Sequence, residues 1–283
     1  MQFDIGKVGQ WSDDQEIKVD AERAKAYAAA TNDPIPQHQS GELAPPVFAV
    51  VPIWDVMGGA VGAVTPADAL PFVVHGEQDI YFHQPIVPGM VLRSRGAPIG
   101  VHVKQSGTTV VSRMETRDET GALVNEQYTV TFFRGVTGGE GTGEVAPAHR
   151  FPEELRGTDP VAIAEQTFDK DQTYRYSEAS GDTVPIHLDE EFAKSVGLPG
   201  IIIHGLCTMA FTSWAAIGEL AAGDPTLLKR LAVRFSKPVL PGETVATQFW
   251  STGERDGKTV YAFETTNPAG EAVIKDGVAE IAI

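Results

Sequence analysis

The chain has 283 residues, of which 42% are hydrophobic and 21% charged, with a formal net charge of -16. This is the balance of a folded globular protein with room for one large or two medium domains. The global negative field repels polyanions, which argues against nucleic acid and anionic membrane surfaces as partners. A single cysteine, Cys207, allows no intramolecular disulfide and agrees with a reducing compartment. The opening MQFDIGKVGQ has neither a basic nor an apolar stretch, and no run reaches the length of a membrane span, so a cytoplasmic protein is expected.

In chain order, Ile17 to Val19 suggests a short strand and Ala21 to Thr31 is rich in strong helix formers. Asn32-Asp33-Pro34 ends that helix, because proline disfavours helix at the residue before it. Pro45-Pro46 opens the apolar run VFAVVPIWDVMGGAVGAV, whose length predicts one buried central helix rather than a strand, with Pro52 in its first turns. From Gln78 the pattern changes to strands. Asp79–His83, Met90–Val103, Thr108–Thr116 and Ala122–Arg134 are separated by turns at Pro88-Gly89, Ser106-Gly107 and 118–121, an antiparallel meander.

Residues 136–160 are dense in Gly and Pro and read as a linker. Beyond it the order repeats: a helix at 171–179, an apolar helix at 204–222, and strands at 231–237, 244–254, 259–266 and 272–283. Turn glycines correspond across the halves, Gly89 with Gly242, Gly107 with Gly257 and Gly121 with Gly270, at separations of 153, 150 and 149 residues. That register implies a duplicated unit, each a helix plus an antiparallel sheet. The expected domains are a first repeat over 1–135, the linker over 136–160 and a second repeat over 161–283.

The stretch with the most chemistry is YSEASGDTVPIHLDEEFAKSVGLPGIIIHGLCTMAF, Tyr176 to Phe211. Asp182 and His187 stand five residues apart in S-G-D-x-x-P-x-H, and His204-Gly205 opens the apolar helix. An acid, a base and a bare amide at a helix N-terminus can polarise a carbonyl and move a proton. A structural alternative makes Asp182 a cap for a helix over 189–196, His187 a buried hydrogen-bonded histidine, His204 a residue that shapes the turn by bonding to backbone, and Gly205 a packing glycine. Cys207 falls on the apolar helix and reads as core.

This stretch resembles the signature of the (R)-specific enoyl-CoA hydratases, the hydratase 2 or MaoC-like dehydratases. VRFSKPVLPG at 233–242, His75-Gly76-Glu77-Gln78 and TVTFFRG at 129–135 resemble the two-repeat form of that family. The resemblance implies an α+β double hot-dog fold, in which each repeat wraps a long antiparallel sheet around a central helix. It also implies hydration of trans-2-enoyl-CoA to (R)-3-hydroxyacyl-CoA and the reverse, with no cofactor and no metal. Asp182 and His187 would hold the water, and the Gly205 amide would receive the thioester oxygen. The family usually has Asn at the position of Val184, so a polar group beside the acid and base is absent here. Arg234 and Lys237, flanking Phe235, are candidates for the phosphates of CoA, and Val184 and His204 for substrate placement; a solvated strand edge explains the two cations equally well. The substrate would be a CoA or acyl-carrier-protein thioester, and the protein a monomer of two repeats or a homodimer. An acyl-CoA thioesterase and a silent acyl-thioester binder remain alternatives.

The first repeat keeps the same acid-to-histidine spacing in Asp33 and His38, aligned with Asp182 and His187. It lacks the glycine: Ala49-Val50-Val51 stands where the second repeat has His204-Gly205. Seven positions lead from His38 to Pro45, against twelve from His187 to Pro199. The first repeat is therefore expected to be degenerate and acyl-binding, its apolar helix free to line a path for medium or longer chains.

Overall fold

Glycine turns set the strand pairing. The computed structural model describes residues 1–283. In the first half β1 (Gln15–Lys18), β2 (Val73–Phe82), β3 (Val91–Lys104), β4 (Gly107–Arg117) and β5 (Leu123–Arg134) pair antiparallel in the order β1-β3-β4-β5-β2. The short β6 (Thr142–Gly143) adds to β3. In the second half β7 (Ala162–Thr167), β8 (Leu228–Phe235), β9 (Thr244–Arg255), β10 (Lys258–Thr266) and β11 (Ala272–Ala282) pair in the order β8-β11-β10-β9-β7. Gly89 and Gly242 sit at φ +95° and +89°, and Gly121 and Gly270 at +86° and +75°. These are left-handed turn positions that a side chain would strain, which is why the glycines recur in register. The edge strand β7 was not expected: six residues between Pro and Gly-rich segments carry too short an alternation to stand out.

Helices are α1 (Ala21–Ala30), α2 (Pro36–Ser40), α3 (Trp54–Val64), α4 (Gln172–Ser180), α5 (Glu190–Ser195) and α6 (Gly205–Leu220). The single helix expected over 47–64 is two pieces, a 3-10 turn at Pro46–Val50 and then α3. Pro52 has no N–H to donate and its ring crowds the carbonyl one turn back, so an α-helix cannot run through it. Nor is α3 buried all round. Val56, Ala60, Val61 and Val64 are buried, while Gly58, Gly59 and Gly62 face outward. α6 is more deeply enclosed, with eleven of its sixteen residues buried.

By packing, the chain forms two compact units, 1–18 with 52–84 and 91–148, and 19–51 with 85–90 and 149–283. These cut across the sequence repeat, so Asp33 and His38 fold in the same unit as Asp182 and His187. In the first unit Val61 and Val64 of α3 share a core with Phe3, Val110 and Phe133. In the second, Phe211 of α6 stacks on Phe168 at 4.2 Å. There α1 and α4 also bind each other's ends. Arg23 donates to the carbonyls of Ala179 and Ser180, and Arg175 to that of Ala29. Cations at helix C-termini satisfy carbonyls that have no partner in their own helix. Tyr27 and Tyr176 meet between them, hydroxyl to hydroxyl at 3.2 Å. Asp33 follows the end of α1 by three residues, and Asp182 the end of α4 by two.

The Gly/Pro-rich connection is pinned at both ends. β6 holds it on β3, and further on Phe151 packs edge-on to Trp250 at 5.0 Å. Asp276, at φ +54° in β11, accepts from the Phe151 amide at 3.1 Å, and its own carbonyl takes His149 Nδ1 at 2.6 Å. No helix is long and apolar enough to cross a membrane.

Candidate active site

α4 stops because Gly181 adopts φ +92° and returns its N–H to the Ser177 carbonyl. The chain turns sharply, and the Asp182 carboxylate accepts the Val184 amide through Oδ1 at 3.2 Å. This Asx-type turn fixes the acid. Asp182 does not cap the following helix; Asp189 does, accepting from the Phe192 amide at 2.9 Å. Val184 serves the acid through its backbone, and the residue is 42% exposed.

The 3-10 turn Pro185–His187 then presents His187, whose Nδ1–H donates to the Ile202 carbonyl at 2.8 Å. That bond leaves the lone pair on Nε2. His204 is the residue before α6, and its Nε2–H donates to the Asp182 carbonyl at 3.2 Å, tying the helix start to the acid-bearing turn. The backbone role expected for His204 is thus observed, together with one that was not foreseen. Its ring stacks on His187 with centroids 3.8 Å apart and planes at 22°, while Tyr176 flanks it at 4.9 Å. Donor atoms of Asp182, His187 and His204 lie within 4.8 Å of one another, and all three residues are at least 93% buried. As a set of ligands the three match a metal centre in composition. Near-parallel stacked rings, however, send their lone pairs along planes that do not converge on one nearby point, as tetrahedral or octahedral coordination requires.

Burial sets the protonation states. It raises Asp182 to about 6 against the opposing Val184 hydrogen bond, and lowers His187 to about 4 against the opposing Ile202 bond. Burial, with repulsion from His187, takes His204 down to about 2. At neutral pH the site therefore holds one carboxylate and two neutral imidazoles, an acceptor pair for a proton. The titration of the paired groups predicts an acid limb in kcat/KM. Activity should rise with pH through about 6, set by Asp182 ionisation, with His187 already neutral across that range. A pH profile of the wild type checks this, and a limb centred near 4 would assign the critical group to His187 instead.

Gly205 is closely packed: a Cβ there would stand 3.2 Å from the Phe235 ring, which would have to give by a few tenths of an ångström. It is also the first residue of α6, so its amide has no acceptor within the helix. Arg234, half-buried, lies at the end of β8 beside Asp276 at 3.5 Å, and Lys237, exposed, lies just beyond it beside Glu271 at 3.4 Å. Lys275 stands opposite Arg234 in the β8–β11 register. Lys275 was missed because only the strand pairing brings it beside Arg234. Tyr176 and the Ile202 carbonyl were missed for a similar reason, since neither carries a signal at the sequence level.

The Asp33–His38 pair has the same spacing and different wiring. Asp33 Oδ1 accepts from the Ile35 amide at 2.9 Å, and Oδ2 from His38 Nδ1 at 2.7 Å. Each oxygen accepts one hydrogen bond from the protein, and the acid holds the base directly. His38 Nε2 is buried without a partner, and Val50 is buried where a bare amide was sought. In the second site the acid and base are instead held separately by backbone groups.

Comparison with known proteins gives the same assignment to both halves. Residues 152–273 match the MaoC like domain, and residues 37–135 the MFE-2 hydratase 2 N-terminal domain. The chain is 33% identical over 245 residues to 3-hydroxyacyl-thioester dehydratase Y of Mycobacterium tuberculosis, covering 83% of this chain and 80% of that protein. The chain belongs to the MaoC-like dehydratase family. It is also 32% identical over 197 residues to the peroxisomal multifunctional enzyme type 2 of Drosophila melanogaster, covering 68% of this chain but only 32% of the fly protein. The crystal structure of a MaoC-like dehydratase from Phytophthora capsici superposes with a TM-score of 0.85 at 26% identity, covering 99% of this chain and 98% of that one. A conserved hypothetical Mycobacterium tuberculosis protein with a double hotdog fold shares the fold, with a TM-score of 0.61 at 15% identity over 98% and 96% of the two chains. The MaoC-like chain is accordingly an α+β double hot-dog.

Proposed function

We propose that this chain hydrates trans-2-enoyl-CoA to (R)-3-hydroxyacyl-CoA and catalyses the reverse dehydration. The observation that carries the reading is the separation of acid from base. Asp182 Oδ1 is held by the Val184 amide and His187 Nδ1 by the Ile202 carbonyl, which leaves Oδ2 and Nε2 for one water. The water oxygen bonds to C3 of the enoyl thioester and gives a proton to the Asp182–His187 pair, which returns one to C2. Negative charge passing through the thioester oxygen would be met by the Gly205 amide and the positive end of α6. In dehydration the same pair removes the C2 proton and protonates the departing hydroxyl.

Positive charge at Arg234, Lys237 and Lys275 suits the CoA phosphates in a chain that is otherwise strongly negative. Arg234→Glu should raise KM for an enoyl-CoA by roughly tenfold with little change in kcat, the signature of lost uniform binding. Steady-state kinetics test it, and an unchanged KM would leave these cations as an ordinary strand edge. The first repeat is assigned the acyl chain. Cytoplasmic residence belongs to the same reading, as does action as a two-repeat monomer or a homodimer, which light scattering separates.

A crotonyl-CoA assay decides the main reading. Loss of the conjugated enoyl absorbance without free thiol supports hydration. Thiol release shows a thioesterase, and binding without either shows a silent thioester binder.

A further inference from the structure

We propose that Glu190 is a positioning residue for His187: its carboxylate ties down the strap whose Ile202 carbonyl keeps the base apart from the acid. Every residue concerned belongs to the second unit. The effect on turnover rests on the hydratase reading above; the effect on the His187 ring does not.

Residues 188–202 leave His187, pass through α5 and return to the ring of the same histidine. Gly197, at φ +86°, ends α5 with its N–H on the Lys194 carbonyl at 3.0 Å, and the Leu198 amide reaches the Ala193 carbonyl at 3.0 Å. The chain then doubles back to the start of the helix, where Glu190 is the first residue. Glu190 Oε2 accepts from the Ile201 amide at 3.1 Å, and Oε1 from Lys194 Nζ at 2.8 Å. A Cβ on Gly200 would stand 3.0 Å from Oε1 and 3.1 Å from Oε2, so the carboxylate lies against a bare Cα. Lys194 and the Ile201 amide hold this carboxyl below its usual range, which keeps it an anionic acceptor at neutral pH. The residue after Ile201 delivers its carbonyl to His187 Nδ1. Its own amide reaches the Ile186 carbonyl at a long 3.3 Å, and the Ile203 amide is fixed on the Val239 carbonyl at 2.8 Å. Glu190 therefore anchors the strap one residue before the carbonyl that orients the base.

The first repeat shows what an acid and a histidine at this spacing do without the strap. No helix stands there between α2, which carries His38, and the turn at Pro46–Val50. Seven positions lead to Pro45, against twelve to Pro199. His38 Nδ1 goes directly to Asp33 Oδ2 at 2.7 Å. In the second repeat the Ile202 carbonyl occupies Nδ1, and that bond fixes both the tautomer and the ring. An oxygen of Asp182 lies within 4.8 Å of a His187 ring nitrogen, so the acid is the competing acceptor once the strap loosens. The proposal thus gives the extra segment a purpose: it holds the pair open for a water.

The test compares Glu190→Ala, Glu190→Gln and Lys194→Ala. Glu190 is exposed, so truncating it leaves the core untouched. Glu190→Ala should lower kcat for crotonyl-CoA by about tenfold with KM little changed, the scale of a slightly misplaced group. Glu190→Gln keeps an oxygen for the Ile201 amide and should recover most of that loss. Lys194→Ala removes the ion pair but not the tie, and should stay close to wild type. Ring 1H–15N spectra, with His187→Ala to assign the signal, read the cause directly. His187 should be a single Nδ1–H tautomer in wild type and in Glu190→Gln, and a mixture in Glu190→Ala. Wild-type kcat in Glu190→Ala, an unchanged tautomer there, or an equal loss in Lys194→Ala overturns the proposal. Failure of the wild type to hydrate crotonyl-CoA would sink the hydratase reading, while the His187 tautomer would still judge the strap.

Discussion

Asp182→Asn is expected to lower hydratase turnover by at least about two orders of magnitude while leaving the protein folded. The amide oxygen still accepts the Val184 N–H, so the turn survives, but it cannot take a proton from water. Stability should move the other way. Burial holds this carboxyl at about 6, above its unfolded value of 3.8. A group with a raised folded pKa contributes stability below its unfolded pKa and loses it as pH rises through the folded one. At neutral pH the ionised Asp182 therefore costs on the order of 3 kcal/mol, a cost the neutral Asn does not carry. A melting temperature at pH 7 equal to or above that of wild type, beside a collapsed kcat, is the expected pair of results. Retained turnover would remove Asp182 from the chemistry, and a lower melting temperature would show that its charge is compensated. The acid limb near pH 6 should disappear in whatever activity remains.

His187→Ala is expected to abolish nearly all activity, roughly 10²–10⁴-fold, whereas His38→Ala should leave the turnover of folded protein close to wild type. The contrast follows from wiring rather than spacing. Asp33 binds the Ile35 amide with one oxygen and His38 Nδ1 directly with the other, so acid and base are tied to each other rather than held apart around a water. His38→Ala strips a buried carboxylate of a partner and should show as a loss of thermal stability. Asp33→Ala should behave alike. Without a bare amide at Val50, the first site would contribute under about one per cent of turnover, on the scale of a lost oxyanion donor. An Asp182→Ala, His187→Ala double variant that still hydrated crotonyl-CoA at a tenth of the wild-type rate would reverse the ranking of the two sites.

What was legible in the sequence is what short-range chemistry dictates. The turn glycines at 89, 107, 121, 242, 257 and 270 announce their strands because only glycine tolerates those turns cheaply, and their register exposes the duplication. Alternation marks β4, and helix formers mark α1. Asp182, His187 and Gly205 were readable because the acid, base and glycine fall within 24 residues of one another. The apolar run at 47–64 misled because hydrophobicity reports burial but not continuity, and Pro52 decides continuity.

The sequence by itself determined most of the element order, the two repeats and the candidate acid, base and helix-start glycine. Tertiary structure decided how the two pairs are wired, since Asp33–His38 and Asp182–His187 share a spacing, yet His38 Nδ1 meets Asp33 while His187 Nδ1 meets the Ile202 carbonyl. The Ile202 carbonyl is fifteen residues from His187, and the stacked ring of His204 is seventeen away. The proton states of the site come from that enclosure. Hydrogen bonding and desolvation act between neighbours in space, and the pattern along a chain records only neighbours in sequence.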